Sequence, residues 1–140
     1  MKLVYYDSRG LPLAAVVAAI RTGRLPQNGA FKAAALFSLP LINSPRAFVY
    51  YGTDEKKRKV YALWCKADPL LIPRFFRARE ELGREAGEWF LLPVDGVPGT
   101  TALRIAWRLA RAGSGWGREL FYRAVQRYYP RFLQLALKET

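Results

Sequence analysis

Two short segments combine groups suited to holding an anion. The first is Asp7-Ser8-Arg9-Gly10, which closes a strand-like run and precedes Pro12 and an apolar helix. A strand, a glycine-containing turn and a helix N-terminus together present unpaired N–H groups and a partial positive charge. Ser8 and Arg9 add hydrogen-bond donors, and Gly10 lets the backbone approach closely. The second is the 94–101 segment, Val-Asp-Gly-Val-Pro-Gly-Thr-Thr, in the same strand-to-helix setting. There Asp95 is a candidate base, metal ligand or partner for Arg9, while Gly99, Thr100 and Thr101 are candidates to bind phosphate or cap the helix. If the two strands are parallel neighbours, both segments open at one sheet edge, where α/β folds hold ligands. Neither segment is a GxxxxGK[ST] or GxGxxG loop. Asp-Gly and Pro-Gly also serve as ordinary turns, and Ser8 or Asp7 can act as a simple helix cap.

A third pattern is a basic helical face. Arg104, Arg108 and Arg111 fall at i, i+4 and i+7, opposite Leu103, Ala106, Trp107 and Ala110. Arg118, Arg123, Arg127 and Arg131 extend the positive region among Phe121, Tyr122, Tyr128, Tyr129 and Phe132. Arginines grip phosphates and aromatics stack on bases, so nucleic acid is one candidate partner. An anionic membrane surface is another, and a solvated helical face is the bland alternative. The set 121, 125, 128 and 132 reads as a core stripe. No RNP, GXXG or zinc-finger signature accompanies the charge.

Other chemistry is scarce. Histidine is absent, which excludes His-based triads, HExxH zinc sites and His/Cys deaminase sites. Cys65 is the single cysteine, so no intramolecular disulfide and no CxxC pair exist; it reads as a small hydrophobe in a strand. Glu80, Glu81, Glu85 and Glu88 read as a charged surface, and no spacing resembles a metal site. No cofactor is expected.

The elements that must position these residues follow from apolar runs and their breakers. Strands are predicted over 2–6, 46–51, 59–65 and 88–92. Helices are predicted over 12–24, with Pro12 in the first helical position, and over 30–39, 70–82, 102–112 and 118–137, with Pro130 kinking the last or opening a new turn. Leu13–Ile20 is apolar all round, which predicts burial on several sides. The 52–58 link reads as a hairpin loop whose charges face water. The expected fold is a single α/β domain spanning residues 1–140. A small mixed four-stranded sheet is flanked by about five helices in the order β-α-α-β-β-α-β-α-α.

The chain has 140 residues and 51% apolar types, enough for one core. No run of eighteen apolar residues predicts a membrane span, and the N-terminus lacks a signal-peptide pattern, so a cytoplasmic location is expected. The net charge of +12 sits mostly at the two ends of the chain, with residues 51–97 close to neutral. Charge at this level attracts polyanions without choosing among them.

The opening of the chain resembles a family of small bacterial proteins, the domain of unknown function 3189. Lys2-Leu3-Val4-Tyr5, the turn to Gly10, Val17-Ala18-Ala19-Ile20, Gly23 and Leu25-Pro26 carry this resemblance. Leu39-Pro40, the hairpin at 48–64 and the Arg104 helix are similar more loosely. The family's first loop has two glycines and a His-Ser pair, where this chain has Ser8-Arg9-Gly10. The resemblance implies a fold and no reaction; if the family loop handles a phosphate compound, this chain has lost part of that apparatus.

The leading expectation is a non-catalytic domain that binds an anionic, phosphate-containing ligand or partner. One alternative is an enzyme acting on a small phosphorylated or nucleotide-like substrate through Asp95 with Ser8 and Arg9. Others are a nucleic-acid-binding protein using the basic C-terminal helices, a peripheral anionic membrane contact, and a homo-oligomer formed through an apolar face.

Overall fold

The computed structural model describes residues 2–7, 11–39, 48–64, 74, 89–94 and 100–138. Their elements are β1 (Lys2–Asp7), α1 (Leu13–Arg21), α2 (Ala33–Phe37), β2 (Phe48–Thr53), β3 (Lys59–Trp64), β4 (Trp89–Pro93), α3 (Thr100–Arg111), α4 (Gly115–Arg127) and α5 (Tyr129–Leu137). Of the helix predicted over 70–82, Arg74 is the one described residue, and it is helical and exposed.

The four strands form one mixed sheet in the order β2-β3-β1-β4. β1 is parallel to β3, with Leu3 opposite Val60, and parallel to β4, with Leu3 opposite Phe90. β2 and β3 are the antiparallel hairpin, irregular between Tyr50 and Gly52. A central parallel strand is covered on both sides, and Leu3, Val4, Tyr5 and Tyr6 are accordingly all buried. Period-2 alternation divides the faces. Leu3, Tyr5, Val60 and Ala62 join the main core with the helices, while Val4 and Tyr6 pack with Tyr61, Leu63, Trp89 and Leu91.

α1 packs on β1 and β3 and against α5. All eight residues from Leu13 to Ile20 are buried, as an all-round apolar helix requires. Pro12 is the N-cap, one position before the first helical residue predicted for it, and caps with no side-chain hydrogen bond. Gly23, at φ +80°, ends the helix where a side chain is disfavoured.

The 118–137 segment is part of two helices. Ser114 caps α4 by accepting the Gly117 N–H at 3.1 Å, and α4 ends at Arg127. Pro130 then occupies the first turn of α5, where its missing N–H costs nothing. Phe121, Val125, Tyr129, Phe132 and Ala136 are buried at ordinary helical spacing across the two helices, and Tyr128, predicted for the stripe, is only partly covered.

Candidate functional site

α3 is strongly amphipathic. Leu103, Ala106 and Trp107 face the core, and Trp107 packs on Phe121 at 5.0 Å between ring centroids. The opposite side carries Arg104, Arg108 and Arg111, all exposed. The last turn thus holds two cations, Arg108 and Arg111, at the negative end of the helix dipole, a favourable pairing. On α4, burial of Gly117, Phe121 and Val125 turns Arg123 and Arg127 to solvent, while Arg118 is exposed on the flank of the buried side; on α5, Arg131 is exposed beside the buried Phe132.

Glu119 is the single acidic residue between positions 99 and 138. It pairs with Arg123 at 3.0 Å, with both side chains at least half exposed, so the pair is weak and screened. Arg118 lies 4.4 Å over the Phe37 ring and Arg127 lies 5.7 Å over Tyr128. Among the described residues no carboxylate pairs with Arg104, Arg108 or Arg131. Chemically, each of the seven arginines is an exposed, fixed guanidinium cation. It can neutralise and orient phosphate groups, but arginine does not exchange protons near neutral pH.

Thr100 and Thr101 are both helical residues of α3, so neither is its N-cap; Thr101 is exposed. Ser8, Arg9, Gly10, Asp95 and Gly99 lie outside the described residues, as does Cys65. The strands leading to them are described. β1 and β4 are parallel neighbours, and the Val94 N–H donates to the Tyr6 carbonyl at 2.9 Å. Asp7 and Val94 therefore stand side by side at one sheet edge, and both are fully buried. The strand pairing on which a shared ligand edge depended is present.

One polar cluster escaped the sequence. The hairpin loop was expected to face water throughout, yet Asp54 and Arg58 are each only 8% exposed. Glu55, Lys56 and Lys57 between them are exposed. Asp54 Oδ1 accepts the backbone N–H groups of Lys56 and Arg58 at 3.0 and 2.8 Å, folding the loop over its own carboxylate. Asp54 Oδ2 accepts Arg58 Nε at 2.9 Å and Arg21 Nη2 at 3.2 Å. Burial alone raises the Asp54 pKa, but the Arg58 and Arg21 hydrogen bonds outweigh it and hold the carboxyl below its usual range. The available signal was an Asx-turn aspartate at the first loop position with an arginine four residues on.

A cavity of about 110 Å³ beside this cluster is lined by Ile20, Arg21, Gln27, Asp54, Glu55 and Lys56, with Leu137. Both Asp54 oxygens are committed to protein donors, so the cluster is a clasp joining the hairpin to α1 and not a catalytic base. The described residues hold no group of three or more potential metal ligands, and none of their helices is long and apolar enough to cross a membrane.

A family model described as Protein of unknown function (DUF3189) matches residues 2–138. No curated protein and no solved structure matches the chain.

Proposed function

The chain belongs to the DUF3189 family, and on that footing we propose that it is a non-catalytic domain that binds a phosphate-bearing polyanion through its C-terminal helices. The observation that carries this is the exposure of all seven arginines at 104, 108, 111, 118, 123, 127 and 131. Glu119 is the single acidic residue in the stretch of sequence that carries them. A face of this kind attracts extended anions over a Debye length and releases their counterions on contact. Its groups bind charge without moving protons, which suits recognition more than reaction.

The test is binding of the full chain to a fluorescent mixed-sequence oligonucleotide and to anionic vesicles across a salt series. The expected result is affinity for at least one probe that falls steeply as salt rises. No binding to either, or binding indifferent to salt, removes the proposal.

A second function is supported by the Asp7–Val94 edge. A small phosphorylated ligand there would be held by Ser8, Arg9 and Gly10 with Asp95, Gly99, Thr100 and Thr101, and Asp95 would serve as base or metal ligand. Adjacent parallel strands ending in buried residues are the setting in which α/β folds hold such ligands. Arg9→Ala separates the two: it abolishes binding of a small phosphate ester if the edge is the site, and leaves polyanion affinity nearly intact if the helices are.

A further inference from the structure

The arginine face carries two large apolar side chains that packing leaves in water. Ile105 is 56% exposed and Trp116 is 69% exposed. Ile105 follows Arg104 and precedes Arg108 by less than one helical turn, so both guanidinium stems flank it. Trp116 stands in the first turn of α4, two residues before Arg118. The α3–α4 connection spans only Ala112–Ser114, and Leu109, one turn beyond Ile105, packs against Gly117, the residue after Trp116. Ile105 and Trp116 thus flank the Leu109–Gly117 contact on a single helical hairpin edged by Arg104 and Arg108 on α3 and, seven and eleven residues along the Trp116 side of α4, by Arg123 and Arg127.

We propose that this hairpin docks on an anionic lipid surface, its arginines on headgroup phosphates and Ile105 and Trp116 entering the boundary below them. Such docking presupposes the polyanion-binding function above and names its partner. Charge complementarity selects an anionic partner. The two apolar side chains then favour lipid over nucleic acid. An indole can stack on a base, but the branched aliphatic Ile105 enters a polynucleotide only by unstacking a base step, which costs free energy. The headgroup–acyl boundary accepts both, and tryptophan is enriched there. Glu119, the single acidic residue of the two helices, is engaged by Arg123.

The experiment compares the full chain with vesicles of phosphatidylcholine alone, with vesicles containing phosphatidylserine, and with a single-stranded oligonucleotide. Acyl chains carrying bromine quench tryptophans that enter the bilayer, and Trp116→Phe identifies the contribution of Trp116 among the chain's four tryptophans. The expected result is sedimentation with phosphatidylserine vesicles only, with quenching that Trp116→Phe removes. Ile105→Asp and Trp116→Asp each weaken vesicle binding by about tenfold or more, since affinity scales with the apolar area inserted. Both positions are exposed, and an unchanged circular dichroism spectrum shows that the fold survives. Vesicle binding without quenching of Trp116, or oligonucleotide binding without vesicle binding, overturns lipid insertion and leaves polyanion binding standing. Failure to bind either overturns both.

Discussion

Arg21 and Asp54, 33 residues apart in the chain, form an ion pair at 3.2 Å with side chains only 12% and 2% exposed. The same guanidinium donates through Nη1 to the Ala136 carbonyl at 2.6 Å, near the end of α5. One side chain thus ties α1 to the β2–β3 hairpin and to the C-terminal helix. The arrangement satisfies carbonyls that a helix end leaves without partners.

Removing the acid should therefore cost far more than a surface mutation. Asp54→Ala leaves Arg58 and Arg21 without their carboxylate and the Lys56 and Arg58 amides without an acceptor. A loss of about 3 kcal/mol is expected, in the range for breaking a buried pair. Asp54→Asn keeps an oxygen for the two amides and should lose less. Urea denaturation of both variants checks the order; equal losses would show that the loop hydrogen bonds contribute nothing.

The same carboxylate predicts an acid dependence with a definite sign. Its pKa is lowered in the folded state, so its contribution is fully present above the unfolded value near 4 and is lost as pH falls through the folded value. The melting-temperature gap between the wild type and Asp54→Asn should be constant from neutral pH to about 5 and close at lower pH. A gap that persists unchanged into strong acid contradicts the assignment.

Tyr129 predicts the alkaline limb. Its hydroxyl donates to the Pro26 carbonyl at 2.6 Å, and burial raises its pKa to about 12. The stability this phenol contributes is fully present below the unfolded value near 10 and is lost as pH rises from there through the folded value of about 12. Tyr129→Phe should cost about 1 kcal/mol at neutral pH, and ultraviolet titration should lose one phenolate step near pH 12 while the still higher step of Tyr51, which burial raises further, remains.

Gly117 tests the α3–α4 contact. A Cβ there would collide with Leu109 Cβ and with the Leu109–Ala110 backbone, whereas nothing lies near a Cβ on Gly115. Gly117→Ala should destabilise by about 1–3 kcal/mol, because backbone atoms cannot rotate away. Gly115→Ala should be neutral or slightly stabilising. Thermal melts of the pair decide it, and equal melting temperatures would refute the close approach.

The basic face should affect binding and leave the fold alone. Arg104→Ala, Arg108→Ala and Arg131→Ala combined should change stability by less than about 0.5 kcal/mol per site. If all three touch phosphate, the slope of log affinity against log salt should fall by about three. An unchanged slope would remove these residues from the interface.

The local elements were legible because they are written in short-range chemistry. The run Leu13–Ile20 could only be an interior helix, and Pro130 could only begin or bend one. The Arg104–Arg108–Arg111 stripe followed from the 3.6-residue period alone. The phase of the last stripe was not legible: Tyr128 and Tyr129 both lie at helical spacing from Val125, and the choice between them depends on packing against the rest of the core.

Amino-acid order alone determined the α/β class, the strands, most helices and the exposed side of α3, since each depends on neighbours within a few residues. Only the tertiary structure decided that β1 lies between β3 and β4, because strand pairing joins residues far apart with no local record of the partner. It also decided that Asp54 and Arg58 are buried. A charged loop looks solvent-facing until a distant cation, here Arg21 at the end of α1, arrives to share its charge.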